Sequence, residues 1–158
     1  MTKTPPEPSS MTDLKAIGAS AHNRDLYARA AIDPSLLECF ENPCPVGADI
    51  WEHISVPEFT CLCPITGQPD FAIIEILYAP GAKCVESKSL KLYLGSFRNV
   101  GTFHEACVVR IPQDLTDMLE PDWMLVVGRF TPRGGIPFQP RASFGSGVPR
   151  ELLYRMWG

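Results

Sequence analysis

Apolar positions set the first outline of this chain. Residues 1–25 carry Pro, Ser, Thr and charge with little apolar periodicity, the pattern of a flexible arm ahead of a single domain over residues 26–158. Asp33-Pro34 predicts a short helical turn through Leu36, Leu37 and Phe40, stopped by Asn42-Pro43. Trp51, Ile54 and Val56 lead into a strand. Residues 59–62 and 71–78 are rich in β-branched and aromatic side chains and are parted by turn residues at Pro64, Gly67 and Pro69, so they predict two antiparallel strands. Ala79-Pro80-Gly81 closes the second.

The period then becomes helical. Leu90, Leu94 and Phe97, with Lys91 and Arg98 to the side, predict a helix from Ser89 to about Asn99, with Gly101 as its stop. Thr102 is placed to cap a second helix with a stripe of Phe103, Cys107, Ile111, Leu115, Met118 and Leu119, which Pro112 is expected to kink or break. Residues 123–130 predict a third strand, and Gly134-Gly135 a turn into a fourth through Phe138. Leu152, Leu153, Met156 and Trp157 form a short apolar patch in the tail. The order ββααββ predicts an α+β fold: a four-stranded antiparallel sheet with two helices on one face. Its two edges call for pairing, hence a homo-oligomer.

Composition narrows the class. In 158 residues, 45% hydrophobic content supports a real core, and a net charge of -4 argues against a nucleic-acid surface, leaving a small ligand as partner. MTKTPPEPSS has no apolar stretch that would serve as a leader, and no run approaches membrane-spanning length, so the expectation is a soluble, cytoplasmic protein whose cysteines are mostly reduced.

The chemistry centres on residues 58–71, EFTCLCPITGQPDF. Cys63 requires help to ionise at neutral pH, and Asp70 across the turn is able to accept its proton or donate one later. Either this pair adds sulfur to an electrophilic carbon, or Cys61 and Cys63 are small buried hydrophobes and Asp70 caps the turn. The C-x-C spacing lacks a second close pair or an H-x-H partner, so no metal site is expected. In His104-Glu105 the carboxylate suits paired hydrogen bonds from an amidine-like edge and the imidazole suits proton relay; the alternative is a solvated helix end. In residues 86–93, ESKSLKLY, Lys88 and Lys91 near a helix start suit a phosphate-bearing ligand or form a solvated face. No G-x-G-x-x-G is present, so any nicotinamide cofactor binds outside a Rossmann fold.

Together, ESKSLKLYLGSFRN, FHE, EFTCLCPITGQPDF and GRFTPRGGI closely resemble the NADPH-dependent 7-cyano-7-deazaguanine reductases, the QueF-type nitrile reductases of queuosine biosynthesis. The resemblance covers residues 34–135 and implies a tunnelling fold whose subunits assemble into a barrel with active sites at subunit interfaces; for this single-module form it implies a decamer of two pentamers. It implies that Cys63 adds to the nitrile as a covalent thioimide and that Asp70 protonates the nitrile nitrogen. It further implies that Glu86, Ser87, His104 and Glu105 hold the free base, with His104 assisting proton transfer, and that Lys88, Lys91 and Arg133 meet NADPH. Cys61 departs from the small residue expected beside the nucleophile, and a reversible disulfide linking Cys63 to Cys61 or Cys107 is one expectation for it. Two rivals stand beside this reading: a zinc-dependent, cyclohydrolase-like enzyme of the same fold, and a noncatalytic purine-binding module.

Overall fold

Alternating burial along residues 69–79 marks the strand around which the sheet is laid down. In a computed structural model, residues 30–46 and 48–155 are described, with side chains through residue 152. The proposed arm at residues 1–25 lies outside them, as do Met156 and Trp157. The elements are β1 (Cys39–Glu41), β2 (Glu52–Leu62), β3 (Pro69–Ala79), β4 (Lys83–Val85), α1 (Ser87–Gly95), α2 (His104–Leu119), β5 (Trp123–Phe130), β6 (Arg141–Gly145) and α3 (Arg150–Arg155).

β2, β3, β5 and β6 form a four-stranded antiparallel sheet in that order, and β1 and β4 a separate two-stranded ribbon. In β3, Ala72, Ile74, Ile76 and Tyr78 turn to one face, where α1 and α2 cover them. Because strand side chains alternate, β5 sends Met124, Val126 and Phe130 to the same core. From the helices come Leu90, Tyr93, Leu94, Val108, Ile111, Leu115 and Leu119, all buried. The opposite face keeps a smaller cluster of Leu77, Trp123, Leu125 and Val127, packed by Leu152 of α3. The predicted α+β layering is therefore observed.

Four local expectations are corrected. The turn at Pro34–Leu36 is a 3-10 turn capped by Asp33, and Phe40 belongs instead to β1, which at three residues is too short to show a period. α1 starts at Ser87 and gives way to a 3-10 turn at Ser96–Asn99. α2 runs unbroken through Pro112: the missing hydrogen bond costs on the order of 3 kcal/mol, and a stripe of six buried residues, Pro112 among them, offsets it. The fourth strand is residues 141–145, not a run through Phe138. Ile136-Pro137 and Gln139-Pro140 lack ladder donors, and Phe138 contributes its carbonyl to the Phe130 N–H at 3.1 Å.

Two contacts locate the site. The Leu62 N–H donates to the Val100 carbonyl and the Thr102 N–H to the Leu62 carbonyl, both at 3.0 Å, which fastens the end of β2 to the start of α2. Thr102 is thus used as a bridge; Phe103, without a side-chain bond, is the residue before α2. Gly101 is the point of contact rather than a helix stop, since a Cβ there would lie 3.2 Å from the Pro64 Cα. On β5, a Cβ at Gly128 would meet Val108 Cγ2 at 2.7 Å and the Phe130 ring at 2.8 Å. Gly128→Ala is therefore expected to destabilise the fold by roughly 1–3 kcal/mol in chemical denaturation, through overpacking between β5 and α2. Wild-type stability would show that the layers yield there.

Candidate active site

Strand alternation directs Cys61 and Cys63 toward one face, and the β2–β3 register sets Asp70 directly opposite Cys61. The hairpin between them is held by the Cys63 N–H on the Gln68 carbonyl at 2.8 Å and the Gly67 N–H on the Cys63 carbonyl at 2.9 Å, with Gly67 at φ 68°. A thiol and a carboxyl are thereby brought to one end of the sheet. α2 adds His104 and Glu105 from its first turn, and the turn after β5 adds Arg133.

These side chains line one cavity of about 250 Å³ together with Thr102, Thr131 and the apolar rim Phe103, Ile136 and Phe138. Asp70, only 6% exposed, pairs through Oδ2 with His104 Nε2 at 3.3 Å and through Oδ1 with Arg133. A buried carboxylate needs such compensation. The His104 ring stacks on Phe130, 3.8 Å between centroids and 13° from parallel, and meets Phe138 edge-on. Two aromatic contacts and the contact with Asp70 fix its orientation.

Cys63 is half-buried at the cavity mouth. The Thr66 hydroxyl, then the backbone N–H groups of Thr66 and Ile65, bring its thiol down to about 7, and Arg133 acts in the same sense. The help expected from Asp70 thus comes largely from the hairpin itself. Thr66 escaped notice in the sequence because a threonine in a turn reads as a turn former; its T-G context was the available signal.

Cys61 does not enter this cavity. It is fully buried, 3.7 Å from Cys107 Sγ, and the Cys107 thiol, then burial, push its own thiol up. The pair forms a buried sulfur floor beneath the site.

The remaining predicted site residues lie elsewhere on the chain. Glu86 precedes α1, and its carboxylate accepts from the Lys88 N–H at 2.9 Å and the Ser89 N–H at 2.7 Å. Those bonds, the Lys88 one first, hold Glu86 below the usual carboxylate range. The helix start that looked available to a phosphate is thus occupied by the protein's own carboxylate. Ser87 and Lys91 line a second cavity of about 450 Å³ along β2 and α1, with Arg98 on its wall. Lys88 is exposed beside them. The two cavities share no lining residue, so a single chain does not bring Lys88 and Lys91 together with Arg133. Among the described residues, no group of three or more His, Cys, Asp or Glu is arranged to hold a metal ion.

Known proteins resemble this chain in sequence and in fold. A family model described as QueF-like protein matches residues 69–147. The chain is 51% identical to the NADPH-dependent 7-cyano-7-deazaguanine reductase of Bacteroides fragilis, over 85% of this chain and 88% of that one. Its identity to the Neisseria meningitidis protein of the same name is 54%, over 90% of each. Among solved structures, the apo form of the archaeosine synthase QueF-Like superposes with a TM-score of 0.57 at 19% identity, covering 63% of this chain and 96% of that one, a likeness of fold. With its tunnelling fold of ββααββ order, the chain belongs to the QueF-like family, that of the NADPH-dependent 7-cyano-7-deazaguanine reductases.

Proposed function

We propose that this protein reduces the nitrile of 7-cyano-7-deazaguanine to the primary amine 7-aminomethyl-7-deazaguanine with NADPH, as a cytoplasmic step toward the queuosine of tRNA, acting on the free base and not on nucleic acid. The observation that carries this reading is the cavity in which a thiol lowered to about 7 shares space with a buried, ion-paired carboxylate and a clamped histidine. About half of such a thiol is thiolate at neutral pH, and sulfur is the stronger nucleophile toward a nitrile carbon.

Cys63 Sγ bonds to the nitrile carbon as the thiol's proton passes by way of Asp70 to the nitrogen, giving a thioimide with its C≡N bond reduced in order. His104, anchored between Phe130 and Phe138, holds the Asp70 carboxyl in place and relays protons as nitrogen becomes amine. The covalent bond splits one demanding reduction into two easier ones. Glu105 at the rim and Glu86 and Ser87 hold the base edge, where carboxylates discriminate against rings lacking matching donors. Lys88 and Lys91, exposed beside the larger cavity, suit the phosphates of NADPH. Two molecules of NADPH, bound one after the other, would each supply one hydride.

The assembly follows from the same separation. β2 and β6 are the sheet edges, and the larger cavity runs along β2. Pairing of β2 with β6 of the next copy closes a barrel, and each active site then takes Cys63, Asp70, His104 and Glu105 from one chain and Glu86, Ser87, Lys88 and Lys91 from another. A decamer of two pentamers is the expected form.

Mixed with 7-cyano-7-deazaguanine in the absence of NADPH, the protein is expected to gain the mass of one substrate per chain on the Cys63 peptide. Cys63→Ala should gain none, and an unmodified parent protein would overturn the mechanism. Sharing of sites between chains has its own test. Cys63→Ala chains and Lys88→Ala/Lys91→Ala chains, each inactive alone, are co-assembled at equal ratio. About a quarter of wild-type activity should return, since a site needs one intact half from each chain. No recovery in mixed oligomers of normal size would place each whole site within one chain.

A further inference from the structure

Arg133 was grouped with Lys88 and Lys91 as a cofactor residue, yet its guanidinium reaches the other cavity. Nη2 lies on Asp70 Oδ1, while the second oxygen of that carboxylate faces His104. The Arg133 side chain is 42% exposed and Asp70 6%, so the ion pair runs from the mouth of the cavity to its floor. Its backbone is held in a tight turn, with Arg133 and Ile136 exchanging N–H to carbonyl bonds at 3.4 and 3.1 Å around Gly134 at φ 59° and Gly135 at φ 81°. Among the described residues lining this cavity, Arg133 is the only permanent cation.

The charges it faces are nearly all acids. β2 and its hairpin contribute Cys63, with Cys61 behind; β3 contributes Asp70; α2 contributes Glu105, His104 and, underneath, Cys107. A thiolate and a carboxylate side by side repel each other, and each resists ionisation while the other is charged. A guanidinium between them removes that penalty, and its planar fork serves two acceptors at once.

We propose that Arg133 is a positioning residue for the covalent step, keeping Asp70 and Cys63 in register so that the thiol proton passes to Asp70 and from there to the nitrile nitrogen. The step balances within the site: the S–H bond breaks, the S–C bond forms, and the released proton ends on nitrogen with no outside acid. The inference rests on the nitrile-reductase reading of Cys63 and Asp70. It differs in the duty of Arg133, which here serves the chemistry before NADPH arrives.

The test uses the intact protein and two variants, Arg133→Gln and Arg133→Lys. Alkylation of Cys63 by iodoacetamide, followed by peptide mass across pH 5–10, is expected to have its midpoint near 7 in the parent. In Arg133→Gln the midpoint should rise by roughly 0.3–0.5 pH unit, since the Thr66 and Ile65 groups that lower the thiol most remain, and Arg133→Lys should restore part of the difference. Formation of the nitrile adduct without NADPH should slow by about tenfold or more in Arg133→Gln, with KM for NADPH changed less than about threefold. An unchanged midpoint and adduct rate with a raised KM for NADPH would overturn the proposal and return Arg133 to the cofactor. A parent protein that forms no adduct, with a midpoint that still rises in Arg133→Gln, would support the positioning of Cys63 by Arg133 and overturn the nitrile reading instead.

Discussion

The site depends on one pair of backbone bonds, those by which Leu62 grips Val100 and Thr102. Without them the β2–β3 hairpin and the first turn of α2 would be separate surface features, and Cys63 and His104 would have no fixed relation. Because the grip involves main chain, it holds the two segments at a distance set by ladder geometry and not by side-chain packing. Gly101 permits it, since the Pro64 backbone approaches where a Cβ would stand. Everything chemical at this corner is then a consequence of which side chains the pinned segments present.

What they present is unbalanced charge. A buried carboxylate is costly, and Asp70 is tolerated because His104 and Arg133 take one oxygen each. The His104 ring is in turn immobilised by Phe130, whose own position rests on the absence of a side chain at Gly128. Core packing is thereby connected to the orientation of a proton-handling group, and the sulfur pair Cys61 and Cys107 fills the volume below.

Much of this was legible in the residues. The period-two runs of β2 and β3, the continuous apolar run of β5 and the stripe of α2 are long enough for burial to impose its signature, so layers and order followed. β1 and β4, three residues each, show no period, and the proline spacing of residues 136–140 hid where the last strand starts. Within the site, Cys63, Asp70, His104, Glu105 and Arg133 were all nameable from their strings, and the structure collects them in one cavity. Thr66 was not nameable, because its effect comes from a hydroxyl and an N–H aimed at sulfur by the turn. Within one chain Arg133 lies in a different cavity from Lys91, a separation that sequence does not show because it gives charge but not the cavity a side chain enters.

Glu86 raises the sharpest question of compatibility, since it already caps α1 while the proposed function asks it to hold a base. A carboxylate has about four lone-pair sites; the Lys88 N–H and the Ser87 hydroxyl use those on Oε1, and the Ser89 N–H uses one on Oε2. The second site on Oε2 remains for a donor on a planar ring. Capping also fixes the carboxylate's angle and keeps it ionised, both of which favour recognition of a donor edge. The cap is thus a form of preorganisation: the helix spends its N-terminal field on orienting the carboxylate, and in the proposed assembly the neighbouring chain's cavity receives a carboxylate already aimed.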